Sequence, residues 1–175
     1  RPRLDGPLGV GVKGQAVRLR PAQAICDWRE RPLLYDDGVY VVPHADGTLA
    51  VGGASWTAWS EPDRPEPGDA AFLERARALC PALEGAATIE WWAGVRPKCR
   101  RRDPVVGRLP EELTGGAPLW LATGGFKIGL ALAHQTARAL ARQIIDPSAS
   151  AVPPELAPSA HAIGSARPGL AADGR

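Results

Sequence analysis

The residues around position 96 have the types and spacing needed to bind a carboxylate. Arg96 lies on the same face of a predicted strand as Gly94, which has no side chain, and Pro97 fixes the backbone directly after it. A guanidinium group on a rigid strand end beside an open space suits the capture of a carboxylate by two parallel hydrogen bonds. The spacing alone favours an ordinary surface arginine, so the carboxylate site is a hypothesis at this point.

A second candidate site is a glycine-rich segment that joins a predicted strand to a predicted helix. Its residues are Gly124, Gly125, Phe126, Lys127, Ile128 and Gly129. The first turn of the helix has no acidic residue and no good side-chain cap, and its unsatisfied N–H groups carry partial positive charge. A negatively polarised ligand would be stabilised there. Water or neighbouring chain would serve equally well on the pattern alone.

The basic residues that follow Arg96 give little support to nucleic-acid binding. Lys98, Arg100, Arg101 and Arg102 are predicted to lie in a solvated turn, with Asp103 as a candidate partner. The net charge of the whole chain is only +2, and no aromatic residues interleave with these side chains to form a stacking groove. A nucleic-acid-binding module is therefore the least favoured function.

The remaining reactive side chains predict neither a metal site nor a nucleophilic triad. Cys26, Cys80 and Cys99 are odd in number, form no CxxC and have no histidine at metal-ligand spacing. Reduced thiols in the cytoplasm are expected instead. His44 and His134 lack a visible serine, cysteine or carboxylate partner, so no catalytic side chain is assigned.

No segment of the sequence predicts a membrane span. Residues 1–20 lack the apolar region of a signal peptide, and no apolar run is long enough to cross a bilayer. The chain has 175 residues, begins with Arg1 and contains no methionine. We therefore expect a fragment of a longer, cytoplasmic protein, and the sequence leaves its oligomeric state open.

The spacing of apolar residues predicts an antiparallel sheet with a helix packed on it. Strands are predicted over 13–20, 39–43, 48–52, 88–95 and 119–123, with Asp46-Gly47 in a hairpin loop between the second and third. The nearly all-apolar last strand is expected to be buried on both faces. Helices are predicted over 69–80, where Asp69 caps the start and Pro81 ends it, and over about 127–145.

The order of these segments resembles the C-terminal half of the D-amino acid oxidase and glycine oxidase family of FAD-dependent oxidoreductases. Four segments carry the resemblance in order, followed by a long amphipathic helix: GVKGQAVRL, YVVPHADGTLAVGG, WWAGVRPKCRRRDPVVG and LWLATGGFKIGLALAH. The resemblance covers about residues 10–146. It departs from glycine oxidases in the last turn, where their histidine and asparagine are absent and Lys127 replaces their arginine.

The resemblance implies a role for each matching residue. Arg96, in the Gly-x-Arg-Pro motif, would bind the substrate carboxylate, and Tyr40, in the Tyr-x-x-Pro hairpin, would reach the substrate pocket. The turn at 124–129 would direct backbone N–H groups to the pyrimidine edge of the flavin of FAD, with Lys127 near both cofactor and substrate. The implied reaction is hydride transfer to flavin from an amine or amino acid that bears a carboxylate.

The expected fold class is α+β. Residues 1–12 would be a lead-in, 13–118 an antiparallel substrate-binding sheet domain, 119–146 the last strand and C-terminal helix of an incomplete FAD-binding domain, and 147–175 a disordered tail. Near the N-terminus, the glycines of 9–14 match G-x-G-x-x-G spacing but follow no predicted strand. A non-catalytic remnant of such an enzyme is therefore the alternative function.

Overall fold

The computed structural model divides the chain into two compact units. It describes residues 7–24, 27, 30–53, 55–66, 71–101, 103–149, 151–161 and 163. Val12–Val95 forms one, here called the sheet unit, and the described residues before and after it form the other, here called the helix unit. The domain boundaries expected at 12/13, 118/119 and 146/147 remain predictions, because compactness does not assign a segment to a substrate or a cofactor domain.

Five strands form the larger sheet. In chain order they are β1 (Gly9–Arg20), β2 (Leu34–Asp36), β3 (Val39–Pro43), β4 (Leu49–Gly52) and β5 (Ala87–Cys99). Their spatial order is β2-β3-β4-β1-β5, and the pairs β1–β4, β2–β3 and β3–β4 are antiparallel. The predicted antiparallel sheet is confirmed. The short strand β2 was missed, since only three residues pair with β3 beyond a two-residue turn.

The hairpin between β3 and β4 follows from its loop residues. Gly47 has a φ of 78°, which glycine adopts without strain, and the His44 N–H donates to the Thr48 carbonyl over 2.9 Å. The Asp46 carboxylate accepts from the Thr48 hydroxyl at 2.7 Å and forms an ion pair with Arg18. The hydroxyl bond is the main reason that the pKa of Asp46 falls to about 2. The loop is therefore pinned to β1.

Helix α1 (Ala71–Leu79) supplies the apolar layer against the sheet. Phe72, Leu73 and Ala76 are buried on one face, as the sequence spacing predicted, and the Phe72 ring meets the Trp91 ring edge-on with centroids 6.1 Å apart. Cys80 is extended and Pro81 begins a 3-10 turn, which ends the helix. The predicted cap Asp69 lies outside the described residues.

A buried lysine ties the segment before α1 to β1. Lys13 is fully buried, and its ammonium lies 2.7 Å from the Glu66 carboxylate. Beside it, the Gln15 amide donates to the Glu66 carbonyl at 3.0 Å and accepts from the Glu66 N–H at 2.7 Å. These three bonds hold the segment around Glu66 against β1. The ion pair also allows Lys13 to be buried, because burying an unpaired charge is costly.

The helix unit contains a two-stranded sheet and a long helix. Strands β6 (Val105–Arg108) and β7 (Trp120–Thr123) pair antiparallel, with the short helix α2 (Glu111–Thr114) between them. A 3-10 turn at Phe126–Ile128 leads into α3 (Gly129–Ile145). Strand β7 is not buried on both faces, contrary to prediction, because within the described residues its one hydrogen-bonded neighbour is β6 and Ala122 is exposed.

The C-terminal segment corrects the expectation of a disordered tail from residue 147. Two 3-10 turns, Pro154–Leu156 and Pro158–His161, follow α3, and Val152, Pro158, His161 and Ile163 are buried. Pro158 packs on the bare backbone of Gly107, where an added Cβ would stand 3.0 Å from the proline ring. A few well-placed apolar contacts therefore order a segment whose composition predicted disorder. Residues 164–175 lie outside the described residues.

Candidate functional site

Arg96 lies near the end of the long strand β5. Its side chain is half-buried, and a Cβ added to Gly94 would meet no heavy atom within 4 Å. The open space that the sequence predicted beside the arginine is therefore present. Strand β5 continues through Pro97 to Cys99, which an edge strand allows because the missing proline N–H need not serve the ladder.

The glycine-rich turn requires its glycines. Gly124 has a φ of 87°, and a Cβ there would collide with the Cys99 sulfur. A Cβ on Gly125 would stand 2.5 Å from the Gly129 Cα, so the start of α3 packs directly on the backbone of the turn. At Gly129 an added Cβ meets nothing within 4 Å. The turn thus presents bare backbone next to open space.

The start of α3 is open to a negatively polarised group. No side chain caps the 3-10 turn or the helix at Gly125 or Ile128, and the first turn of α3 contains no acidic residue. The Ile128 N–H donates to the Gly125 carbonyl at 2.9 Å. The uncapped helix start predicted from the sequence is confirmed. Its dipole and the half-buried backbone of Gly125 and Gly129 suit a negatively polarised group.

A backbone bridge between Lys98 and Gly125 places the glycine-rich turn beside the strand that carries Arg96. Lys98 is two residues beyond Arg96, so both side chains project from the same face of β5 at a separation of about 7 Å along the strand. The carboxylate-binding candidate and the anion-favouring helix start are thus neighbours within the helix unit.

Lys98 is a candidate site residue that the sequence interpretation missed. It was assigned to a solvated turn, but it is half-buried in β5, and its ammonium lies 5.7 Å from the centroid of the Phe126 ring. The Lys127 ammonium lies 5.8 Å from the same centroid. Phe126 itself has a φ of 44°, an uncommon conformation for a residue with a side chain. Side chains alternate between the two faces of a strand, so extending the predicted strand through Pro97 would have placed Lys98 on the same face as Arg96.

The other basic residues near Arg96 serve the structure. The Arg100 guanidinium donates to the Pro7 carbonyl at 2.8 Å, and that of Arg101 donates to the Ala160 carbonyl at 3.1 Å. Arg101 also pairs with Asp103 at 3.9 Å. The fourth, Arg102, lies outside the described residues. Arg100 and Arg101 are exposed in a bend after β5, as the sequence predicted, and each also bonds to a segment of its own chain.

Tyr40 belongs to the sheet unit. It is half-buried on β3, and its ring and hydroxyl occupy the place that a side chain on Gly52 of the facing strand would take. Gly52 thus keeps the tyrosine flat against the sheet. Its predicted contact with a substrate remains a prediction.

Two of the three cysteines lie within the described residues. Cys80 and Cys99 are free thiols, and burial raises the pKa of Cys99. Cys26 lies outside the described residues. Among those that are described, no group of three or more metal-ligating side chains is arranged around one point. Nor does any helix in that part of the chain have the length and apolar character to cross a membrane.

The chain resembles known flavoenzymes in both sequence and structure. It is 34% identical over 105 residues to a glycine oxidase of Bacillus subtilis, covering 59% of this chain and 27% of the relative. It is 31% identical over 153 residues to a glycine oxidase of Pseudomonas aeruginosa, covering 81% and 40%. It is 29% identical over 134 residues to a bifunctional ThiO/ThiG protein of Trichormus variabilis, covering 77% and 20%.

The structural match agrees with the sequence matches. The crystal structure of glycine oxidase from Geobacillus kaustophilus superposes with a TM-score of 0.69 at 25% identity, over 84% of this chain and 38% of that one. The chain thus spans well under half the length of the relatives described. The family model of FAD dependent oxidoreductases, DAO, matches residues 1–143. The chain belongs to the DAO family of FAD dependent oxidoreductases.

Proposed function

We propose that this chain is the substrate-side part of an enzyme that oxidises an amine or amino acid with FAD. The observation that carries the proposal is the bridge between Lys98 and Gly125, which joins the strand end bearing Arg96 to the uncapped start of α3. One element suits a carboxylate and the other suits an electron-rich ring edge. An amino acid and a flavin need these two environments side by side.

Arg96 would orient the substrate. Its guanidinium offers two parallel donors to a carboxylate, and Pro97 limits the movement of the backbone that carries it. For Tyr40, within the sheet unit, a contact with the substrate is a separate proposal that rests on the family resemblance. No side chain of this chain is assigned a proton-transfer role, so its contribution would be binding and orientation.

The residues at 124–129 would hold the flavin ring. Backbone N–H groups at the helix start would stabilise negative charge on the pyrimidine edge, and the Lys127 ammonium would add to that field. Bound FAD supplies the two-electron oxidation itself. The dinucleotide part of FAD needs a binding fold that the described residues do not provide, which agrees with a chain spanning 20 to 40% of the relatives described.

A fusion protein tests the proposal. The chain is joined behind the segment of the Pseudomonas aeruginosa glycine oxidase that precedes its matched region. We expect the fusion to retain flavin absorbance after desalting and to lose it on anaerobic addition of an amino acid, while the chain alone releases added FAD. A fusion that folds and holds FAD, yet is reduced by no amine or amino acid, would support the remnant interpretation instead.

Substitution of Arg96 sharpens the same test. Arg96→Lys in the fusion keeps the charge but loses the planar fork, and should weaken carboxylate binding by about 2–3 kcal/mol with flavin content unchanged. Arg101→Lys is the matched control, because it makes the same change five residues further along, outside the Gly-x-Arg-Pro motif. Equal, small effects at both positions on the dissociation constants of carboxylate inhibitors would contradict the role of Arg96.

A further inference from the structure

We propose that Lys98 and Lys127 form a second anion-binding site beside Arg96, and that the substrate is therefore an amino acid with a second acidic group. The inference rests on the proposed function, because it assigns the first carboxylate to Arg96. It adds a substrate class that Arg96 alone does not specify, since a single arginine would serve any amino acid.

The geometry brings the two ammonium groups to one aromatic ring. Lys98 reaches the Phe126 ring from β5, and Lys127 reaches it from the adjoining turn, with nitrogen-to-centroid distances of 5.7 and 5.8 Å. Both distances lie within the range of cation–π interactions, which attract the half-buried Lys98 and the exposed Lys127 to the same ring. The bridge of Lys98 to Gly125 fixes the two backbones relative to each other.

The two ammonium groups of this cluster differ in their surroundings from the buried lysine of the sheet unit. Among the described residues, neither Lys98 nor Lys127 is in an ion pair, whereas Lys13 of the sheet unit is paired with Glu66. Two like charges held at one ring repel each other. A carboxylate or other anion bound beside the two ammonium groups would offset that repulsion and accept charge-assisted hydrogen bonds.

The position of Lys98 connects this cluster to the first carboxylate. Arg96 and Lys98 share a face of β5, with their backbones about 7 Å apart along the strand. Their side chains are long enough to converge on the two acid groups of a short dicarboxylic amino acid. A substrate with one carboxylate would leave the lysine pair without an anion. Charge complementarity therefore favours an aspartate-like or glutamate-like substrate.

Paired ligands test the second site on the full chain. Dissociation constants are measured by calorimetry or NMR titration for glycine, aspartate and asparagine. Aspartate and asparagine have nearly the same shape, so their ratio isolates the second charge. We expect aspartate to bind about tenfold more tightly than asparagine, the equivalent of one charge-assisted hydrogen bond.

Variants then locate the effect. Lys98→Gln and Lys127→Gln should each reduce the preference for aspartate, while Arg138→Gln, which removes the same charge from an exposed position of α3, should leave it unchanged. Arg96→Gln should weaken all three ligands and keep the ratio. Circular dichroism confirms that each variant is folded.

The outcomes separate the two proposals. Equal binding of aspartate and asparagine, with both lost in Arg96→Gln, would overturn the second site and leave the carboxylate role of Arg96 intact. An aspartate preference that survives both lysine substitutions would also overturn it. Failure of all three ligands to bind the folded chain would contradict the second site together with Arg96 as a carboxylate site.

Discussion

The sheet unit and helix α3 of the helix unit bury their apolar residues to very different extents. In the sheet unit, β1, β3, β4 and α1 enclose a continuous core in which Val17, Val51 and Leu83 are almost fully inaccessible. In the helix unit, no residue of α3 is buried, and Leu130 and Ile145 are 94% and 84% exposed. An apolar groove of about 500 Å³ also remains between α3 and the β6–β7 sheet.

This difference shows that a segment can form a regular helix without burying its apolar face against the rest of the chain. Helix α3 forms because its residues favour a helix, and its apolar stripe follows the helical period. Its apolar surface nevertheless remains largely in contact with water, so this surface contributes little to the free energy of unfolding. The sheet unit is therefore expected to account for most of the free energy of unfolding, and the proposed site lies in the less tightly packed unit.

The largest expected effect comes from matched leucine truncations. Leu83→Ala should lower the free energy of unfolding by about 3 kcal/mol, because it opens a cavity in the sheet-unit core. Leu130→Ala should change it by less than about 0.5 kcal/mol, since the side chain is exposed. Chemical denaturation of both variants measures the contrast. If both variants lose a similar free energy of unfolding, and do so at several protein concentrations, the comparison fails, because Leu130 would then lie in a buried contact within the chain.

A smaller effect is expected from the anchor of the sheet unit. Glu66→Gln leaves the buried Lys13 ammonium without its carboxylate and should cost about 1–2 kcal/mol, less than for a fully buried pair because Glu66 is partly exposed. Glu74→Gln breaks the exposed pair with Arg77 and should cost less than about 0.5 kcal/mol. Denaturation midpoints compare the two. An equal cost would mean that the buried lysine finds another partner.

The smallest expected effect concerns the C-terminal segment of the helix unit. His161 is buried, and its burial, helped by the Arg101 charge and opposed by Asp103, lowers its pKa. The folded state therefore favours the neutral ring, and its contribution to stability, present above the ordinary pKa near 6.5, is lost as pH falls below it. Between pH 7.5 and 5.5, amide exchange protection over residues 151–161 should fall a few-fold after correction for intrinsic rates.

A matched variant isolates the histidine in that experiment. His161→Phe fills a similar volume without a titrating group, so its protection over the same residues should no longer depend on pH. The sheet unit provides the internal reference, because its strands should keep their protection in both proteins. A wild-type pH dependence that persists in His161→Phe would assign the effect to another group.

Local sequence chemistry was sufficient to predict most of the elements. Asp46-Gly47 specified a hairpin through its backbone freedom and side-chain bonds, and Pro81 ended α1 because it cannot extend a helix. The alternation in β5 and the uncapped glycine start of α3 also followed from nearest neighbours. The Gly-x-Arg-Pro motif and the order of four segments identified the family, which the match to residues 1–143 then showed.

The tertiary structure decided the features that depend on contacts between residues far apart in the sequence. Lys98 lies beside the candidate site because Gly125 pairs with it across 27 positions of sequence, and the buried Lys13 has a partner because Glu66 reaches back to it. Residues 151–161 became ordered because Gly107 gives Pro158 a bare backbone to pack against. Each outcome depends on a partner distant in the chain, and composition cannot reveal such a partner, since contact energy is set by position in space.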